Sequence, residues 1–162
     1  MRAAVYHDRG RVDIQQMPEP RPGPNEVLLQ VGTVGVCGTD ASEYAHGPSM
    51  FPIHTRHPVT GHVGPLIPGH EFSGTVVEVG AEVTGLEVGD LVASGAGISC
   101  GECPQCRAGA TNVCRRYATV GLNRHGALAE YVTTPADICV EVASLGLSAG
   151  DEFGIHASIV HN

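Results

Sequence analysis

This sequence contains no lysine and no tryptophan, and aromatic residues make up only 4% of its 162 positions. Its nine basic residues are therefore all arginine and face 17 acidic ones, which gives a formal net charge of −8. Such an acidic chain lacks the basic surface that nucleic acids and anionic membranes require, so neither is expected as a partner. With few aromatics, the core must come from Val, Leu, Ile and Ala, and Val and Ile favour strands.

Long apolar runs are also missing. The first residues, MRAAVYHD, do not form the apolar segment of a signal peptide, and no stretch is long enough to span a membrane. We therefore expect a cytoplasmic protein. In a reducing compartment its six cysteines indicate metal ligands, with disulfides as the alternative.

The 22 glycines and 11 prolines divide the chain into short segments. Many short Val-rich runs between turn residues are typical of a β-barrel or a β-sandwich. The strands are predicted at 1–6, 12–16, 26–34, 73–79, 90–93, 128–133 and 138–142.

Between these runs, one short helical turn is predicted after Thr39, with Thr39 or Asp40 capping its first amides. Residues 46–68 are predicted to form a long surface loop. Its four histidines are interpreted as solvated loop residues near a site rather than as metal ligands: His46, His54, His57 and His62.

Four cysteines follow the spacing C-x2-C-x2-C-x7-C: Cys100, Cys103, Cys106 and Cys114. Four thiolates at about 2.3 Å complete a tetrahedral Zn²⁺ shell, and a closed shell of this kind is structural rather than catalytic. Gly101, Pro104 and Gly109 supply the tight turns that the spacing needs. An iron–sulfur cluster is the alternative, because such clusters also use C-x2-C-x2-C runs.

Four thiolates leave the zinc with a net charge of about −2, which neighbouring cations or amide groups must offset. Arg107, Arg115 and Arg116 lie in the right stretch of sequence to do this. The sixth cysteine, Cys139, lies in an apolar run and is interpreted as a small core residue.

A second constellation combines Cys37-Gly38-Thr39-Asp40 with Gly69-His70-Glu71. One thiolate, one imidazole and a carboxylate leave a zinc site open to a substrate, and an open zinc lowers the pKa of a hydroxyl that it binds. Thr39 is placed to hydrogen-bond that hydroxyl and pass its proton outward. Asp40 is placed to accept the second N–H of His70 and fix its tautomer.

These residues resemble a known family. Gly69-His70-Glu71-Phe72-Ser73-Gly74, followed by Gly80 and Val83, fits G-H-E-x2-G-x5-G-x2-V of the zinc-containing alcohol dehydrogenases. Val88-Gly89-Asp90-Leu91-Val92 resembles the G-D-x-V strand of the same family. With the four cysteines, the sequence is similar to the N-terminal catalytic domain of the zinc-dependent medium-chain dehydrogenase/reductases.

Glu43-Tyr44 and His57-Pro58-Val59-Thr60-Gly61 are similar to the 2,3-butanediol, threonine and sorbitol dehydrogenase branch. The resemblance implies a mainly β fold: a GroES-like β-barrel with short helices over residues 1–148 and a structural-zinc lobe at about 95–118. Residues 149–162 are expected to be a tail or a truncated linker.

The family pattern implies oxidation of a small secondary alcohol or polyol by hydride transfer to NAD or NADP, usually in a homo-oligomer. It makes Cys37 and His70 catalytic zinc ligands, Glu71 a ligand or near-ligand, and Thr39 the start of the proton relay. It makes Cys100, Cys103, Cys106 and Cys114 the ligands of the structural zinc.

The sequence departs from the family pattern in three places. Many relatives have a relay histidine where this chain has Ser42, which is a weaker base near pH 7. A further family carboxylate lies in an E-P segment, where this chain has only the candidate Glu152, followed by His156 at an altered spacing. The run from Gly95 to Cys100 lacks the third glycine of a dinucleotide-binding turn, so no Rossmann domain is predicted.

Without a cofactor domain, the isolated chain is expected to be an incomplete and inactive dehydrogenase, because nothing holds a hydride acceptor at the metal site. The alternative is a zinc-binding structural or interaction module derived from such an enzyme, with an apolar surface that drives association. A third class, a redox or zinc sensor that uses the four cysteines as its switch, has no other sequence feature in its favour.

Overall fold

The computed structural model describes residues 1–142, and its fold is mainly β. Two helices occur in this range, α1 (Gly38–His46) and the single turn α2 (Pro104–Arg107), with short 3₁₀ turns at Thr111–Val113 and Ala136–Ile138. The strands are β1 (Arg2–Asp8), β2 (Arg11–Gln16), β3 (Glu26–Gly35), β4 (Glu71–Val79), β5 (Leu91–Ser94), β6 (Gly97–Ile98), β7 (Ala118–Thr119), β8 (Tyr131–Pro135) and β9 (Cys139–Glu141).

The main sheet is antiparallel and has the strand order β8-β3-β4-β5-β9. β1 and β2 form a hairpin, which joins the rest of the fold through isolated bridges from Ala3 to Ala129 and from Tyr6 to Leu66. β6 and β7 form a third, two-stranded sheet. The pairing of β3 with β4 shifts register twice, and shifts of this kind increase the twist and bend of a strand.

The core is built from aliphatic side chains, as the composition requires. Its largest cluster of buried residues lies along the main sheet: Val27, Leu29, Phe72, Val76, Val92, Val120, Ala127 and Val132. Burying one such large side chain contributes about 1.5–3 kcal/mol. Phe72 is fully buried and directly follows His70 and Glu71, so the core fixes the start of β4.

The mainly β prediction is confirmed, and all seven predicted strands overlap observed ones. β6 and β7 were not predicted, because two-residue strands carry no periodic signal. The helix prediction needs a correction at its start: α1 begins at Gly38, before Thr39, and its N-cap residue is Cys37. Of the two predicted capping residues, Asp40 does accept an amide there, the Cys37 N–H.

The interpretation of residues 46–68 as a surface loop is only partly right. The segment has no strand after α1, but Phe51, Ile53 and Leu66 are buried against Tyr6. Phe51 and Tyr6 meet edge to face, with ring centroids 4.8 Å apart. The loop therefore contributes its own small core, which ties it to β1.

No helix within residues 1–142 is both long enough and apolar enough to cross a membrane.

Candidate metal centres

The four-cysteine lobe is shaped by its own short sequence. Cys103 is the N-cap residue of α2 and Pro104 occupies the first helical position, where proline is favoured because no N–H is needed there. Gly101 and Gly109 adopt positive φ values of 70° and 82°, which glycine tolerates without strain. These turns fold one continuous segment back on itself.

The lobe brings all four predicted cysteines together. The Cys103–Cys106 and Cys100–Cys114 Sγ pairs are each 3.4 Å apart, and the Cys103–Cys114 and Cys100–Cys106 pairs are 3.9 and 4.0 Å apart. A tetrahedron with Zn–S bonds of about 2.3 Å has sulfurs about 3.8 Å apart. The donor set therefore fits one zinc ion, and a cluster of several iron and sulfide ions needs more room.

Backbone amides offset the negative charge of these sulfurs. The N–H groups of Cys100 and Arg116 both donate to Cys114 Sγ at 3.3 Å, and the Cys103 N–H donates to Cys100 Sγ at 3.4 Å. The backbone amides of Glu102 and Cys103 lower the pKa of Cys100 to about 6. All six cysteines are free thiols, so the disulfide alternative is not realised in this structure.

Two of the three arginines predicted to offset this charge contact the sulfurs, and the backbone N–H of Arg115 lowers the pKa of Cys103. The Arg116 guanidinium lies beside Cys100 and donates to Glu102 Oε2 at 2.5 Å. Burial and the neighbouring thiols raise the pKa of Cys106 to about 11. Zinc binds thiolates, so metal binding to the lobe displaces protons from its cysteines.

The second cluster is assembled by strand pairing. Cys37 follows β3, and Glu71 begins β4 directly after His70. Because β3 and β4 are antiparallel and Gly35 pairs with Glu71, the end of one strand meets the start of the other. The ligand atoms of Cys37, His70 and Glu71 lie within 4.8 Å of one another, so this donor set also fits one ion.

Asp40 links the two halves of this cluster. Its Oδ2 accepts the backbone N–H of Cys37 at 3.0 Å, and its Oδ1 lies 3.6 Å from His70 Nδ1. Asp40 Oδ1 and His70 Nδ1 are both buried, and neither atom has a hydrogen-bond partner within the described part of the chain. Burial alone would lower the pKa of His70, but Asp40 and Cys37 outweigh it and raise the pKa to about 9.

A buried Asp–His pair without other partners is the arrangement expected beside a metal-binding histidine. Because Nδ1 faces Asp40, the other ring nitrogen of His70 is left as the donor atom for a metal. The role predicted for Asp40, fixing the tautomer of a metal-binding His70, stays a prediction.

The two predicted relay residues lie on α1. Thr39 Oγ1 is 3.7 Å from Cys37 Sγ, so the hydroxyl is next to the proposed ligand set. Ser42 is exposed to solvent on the same helix. Residues three apart lie on one helix face. The Thr39 hydroxyl is therefore the one next to the cluster, and the Ser42 hydroxyl is the one in contact with water.

A turn formed by residues 121–128 holds the backbone of residues 67–69, directly before His70, and this feature was not predicted. The N–H groups of Gly126, Leu128 and Ala127 donate to the carbonyls of Ile67, Pro68 and Gly69 at 2.7, 2.9 and 2.9 Å, respectively. A Cβ on Gly121 or Gly126 would collide with the Gly69 carbonyl oxygen. The glycines themselves were the sequence signal for this contact. They do not identify their partner, because the segment around Gly69 is more than 50 residues away in the chain.

Glu43 is a second residue whose role was missed. Its side chain is buried and accepts the N–H groups of Ser49, Met50 and Phe51 and the Ser49 hydroxyl, at distances of 2.5–3.2 Å. Burial would raise the pKa of Glu43, but these hydrogen bonds outweigh it and lower the pKa. Glu43 thus anchors the loop after α1 to the helix that carries Thr39 and Asp40.

The loop histidines belong to neither cluster within residues 1–142. His54 lies 3.5 Å from Asp8, and His57 accepts the Thr60 N–H. Gly97–Ile98 is β6 and pairs with β7, so the Gly95–Cys100 run does not open a helix. Glu152 and His156, and the tail to which they belong, lie outside the described residues.

Comparison with known proteins agrees with this geometry. The alcohol dehydrogenase GroES-like domain family matches residues 23–144. An L-threonine 3-dehydrogenase from Shewanella loihica is 39% identical over 122 residues, which are 74% of this chain and 33% of that protein. The chain thus spans about a third of the length of the curated relatives that it matches.

Solved structures give the same result. The 2R,3R-butanediol dehydrogenase of Bacillus subtilis aligns with a TM-score of 0.78 and 34% identity, over 86% of this chain and 40% of that one. A cobalt- and zinc-bound thermostable alcohol dehydrogenase from Pyrobaculum aerophilum aligns with a TM-score of 0.74 and 34% identity, over 87% and 40%.

Proposed function

Because this chain belongs to the family of alcohol dehydrogenase GroES-like domains, we propose that it is the zinc-binding catalytic part of a dehydrogenase for small secondary alcohols or polyols. Cys37, His70 and Glu71 would hold the catalytic zinc. Cys100, Cys103, Cys106 and Cys114 would hold the structural zinc. The observation that carries the proposal is the presence of two convergent donor sets of unlike chemistry in one small domain.

A zinc ion bound by Cys37, His70 and Glu71 would act as a Lewis acid and lower the pKa of the substrate hydroxyl. The chain's own residues then have separate tasks. Asp40 orients His70 and keeps its second nitrogen toward the cluster. Thr39 accepts the proton of the substrate hydroxyl as it releases its own toward Ser42, and Ser42, exposed on the same helix face, in turn releases its proton to water.

The hydride acceptor in this proposal is NAD or NADP, as the dehydrogenase relatives suggest. Residues 1–142 contain antiparallel sheets and no strand–glycine turn–helix unit of the dinucleotide type. We therefore propose that these residues bind the alcohol and its metal, and that they do not bind the nucleotide. An assembly of several copies, typical of the family, stays part of the proposal.

X-ray absorption at the zinc edge tests the two ligand sets directly. In the Cys103→Ser variant, zinc should be retained mainly at the Cys37 cluster, with one sulfur and at least two nitrogen or oxygen ligands. In the Cys37→Ser variant, the remaining zinc should have four sulfur ligands at about 2.3 Å. A Cys103→Ser protein that binds no zinc would refute the catalytic site and favour a structural zinc module instead.

A further inference from the structure

A cavity of about 480 Å³ lies beside β8, between the end of β2 and the segment around Ile67. Met17, Ile67 and Val132 contribute to its apolar lining. Its polar lining residues are His62, His125 and Tyr131, together with Glu19, Thr60, Arg124 and Thr133. None of its lining residues belongs to either metal-binding cluster. Its size is within the range of small-molecule sites, which combine an apolar surface with a few placed polar groups.

Hydrogen bonds fix the tautomers of both histidines. His125 Nδ1 accepts the Ile67 backbone N–H at 3.1 Å, so the neutral ring carries its proton on Nε2. His62 Nε2 faces the carbonyl oxygens of Gly64 and Pro65 at 3.3 and 3.2 Å. Carbonyls only accept, so His62 carries its proton on Nε2 and its Nδ1 is an acceptor.

The two neighbouring rings thus have opposite hydrogen-bonding roles. Their centroids are 4.8 Å apart and their planes meet at 79°. His125 presents an N–H donor and His62 an acceptor nitrogen, and neither atom has another partner in the described range. The Tyr131 hydroxyl is likewise unpartnered there.

The cavity carries little net charge. Burial, together with His62 and Arg124, lowers the pKa of His125 to about 4, so this ring is neutral at pH 7. The Arg124 guanidinium is held by Glu26 at 2.5 Å and Thr133 at 2.9 Å. The lining also includes Met1, whose ammonium donates to the Met17 carbonyl oxygen at 2.8 Å, and Glu19, whose side chain is exposed. These two charges are opposite in sign, so the lining selects neither an anion nor a cation by its net charge.

We propose that this cavity binds an uncharged molecule with an apolar body and a hydroxyl group. The hydroxyl donates to His62 Nδ1 and accepts from the His125 Nε2–H, while the body lies against Met17, Ile67 and Val132. A group that only accepts or only donates satisfies one histidine and leaves the other unpaired. This site goes beyond the proposed dehydrogenase function and does not depend on it.

Cyclohexanol and its methyl ether are matched probes, because the ether keeps the apolar ring and the acceptor oxygen but has no hydroxyl donor. Each is titrated into the ¹⁵N-labelled 162-residue chain at pH 7, and the imidazole and amide resonances are followed. Cyclohexanol should shift His62 and His125 saturably, and the ether should bind about tenfold more weakly, the effect of one hydrogen bond.

Three variants locate the binding. His62→Phe and His125→Phe should each weaken cyclohexanol binding about tenfold, whereas His54→Phe, on an exposed histidine that lies outside this cavity, should not change it. Cys37→Ser should leave it unchanged, which separates this site from the proposed catalytic one. His125→Phe also removes the acceptor of the Ile67 N–H. If this loss perturbs the amide spectrum, His62→Phe decides alone, because it removes only the hydrogen bonds to the Gly64 and Pro65 carbonyls and a phenylalanine ring can keep the packing against His125.

Absence of saturable shifts at His62 and His125 up to the solubility limit would overturn the proposal. Equal affinity for the ether, or loss of binding in Cys37→Ser, would do the same.

Discussion

The four-cysteine lobe and the Cys37–His70–Glu71 cluster place metal-binding side chains in two different ways. The lobe is one continuous segment, closed by its own turns, and backbone amides within it point at its sulfurs. The cluster joins the ends of β3 and β4, and depends on strand register, helix α1 and the turn at 121–128. The first site is encoded by local spacing and the second by the packing of the whole domain.

The release of metal to a chelator should separate the two sites most strongly. The lobe has a closed shell of four sulfurs, whereas the cluster supplies three protein donors and leaves an open position. We expect zinc to leave the cluster at least about 100-fold faster than the lobe. Stopped-flow chelation with Cys37→Ser and Cys103→Ser as single-site references measures both rates, and equal rates would remove the distinction.

Gly126→Ala should damage one site and spare the other. The added Cβ collides with the Gly69 carbonyl oxygen, so the His70 backbone must move, at a cost of about 1–3 kcal/mol. Zinc analysis should find the cluster metal lost and the lobe metal retained. Gly38→Ala is the matched control, because its Cβ meets nothing within 4 Å although it adjoins Cys37.

Asp40→Asn tests whether charge or shape at this position supports the cluster. Asparagine can still accept the Cys37 N–H but loses the charge beside His70, so zinc affinity at the cluster should fall about 10–100-fold. Asp90→Asn is the matched control. The Asp90 side chain also accepts the backbone N–H of the residue three positions earlier, Glu87, but it lies in a turn outside both clusters. Competition titration measures both, and an unchanged affinity in Asp40→Asn would exclude an electrostatic role.

Glu43→Gln should make a smaller change, visible in the pH dependence of stability. Because the pKa of Glu43 is lower in the folded chain, its contribution is complete above the unfolded value of about 4.3 and is lost as the pH falls toward the folded value. The variant should lose about 1–2 kcal/mol at pH 7 and show a flatter decline on acidification. Urea unfolding between pH 7 and 3 measures this, and parallel curves would contradict it.

The sequence predicted those parts of the molecule whose causes are local. Cys100, Cys103, Cys106 and Cys114 were identifiable because ligand spacing within one turn-rich segment is itself the geometry. The longer strands were identifiable from Val-rich runs between turn residues. Two-residue strands such as β6 and β7 were not, because they carry no periodicity.

Contacts between distant segments were harder to predict. Gly121 and Gly126 gave no sign that they pack against Gly69, since glycine is permissive for many reasons. Glu43 was noted only for its resemblance to one branch of the family, and nothing in the sequence indicated that the following loop buries it. Cys37 and His70 were singled out by their ligand chemistry, and the family resemblance implied that they bind the same zinc. The register of β3 with β4 supplies the physical reason that they meet.

The central claim, that two zinc sites of unlike construction coexist in this chain, is tested most directly by counting zinc per chain in protein purified without added metal. The account predicts two zinc ions in the wild type and one in each of Cys37→Ser and Cys103→Ser. A single zinc in the wild type, lost in Cys103→Ser but kept in Cys37→Ser, would contradict it.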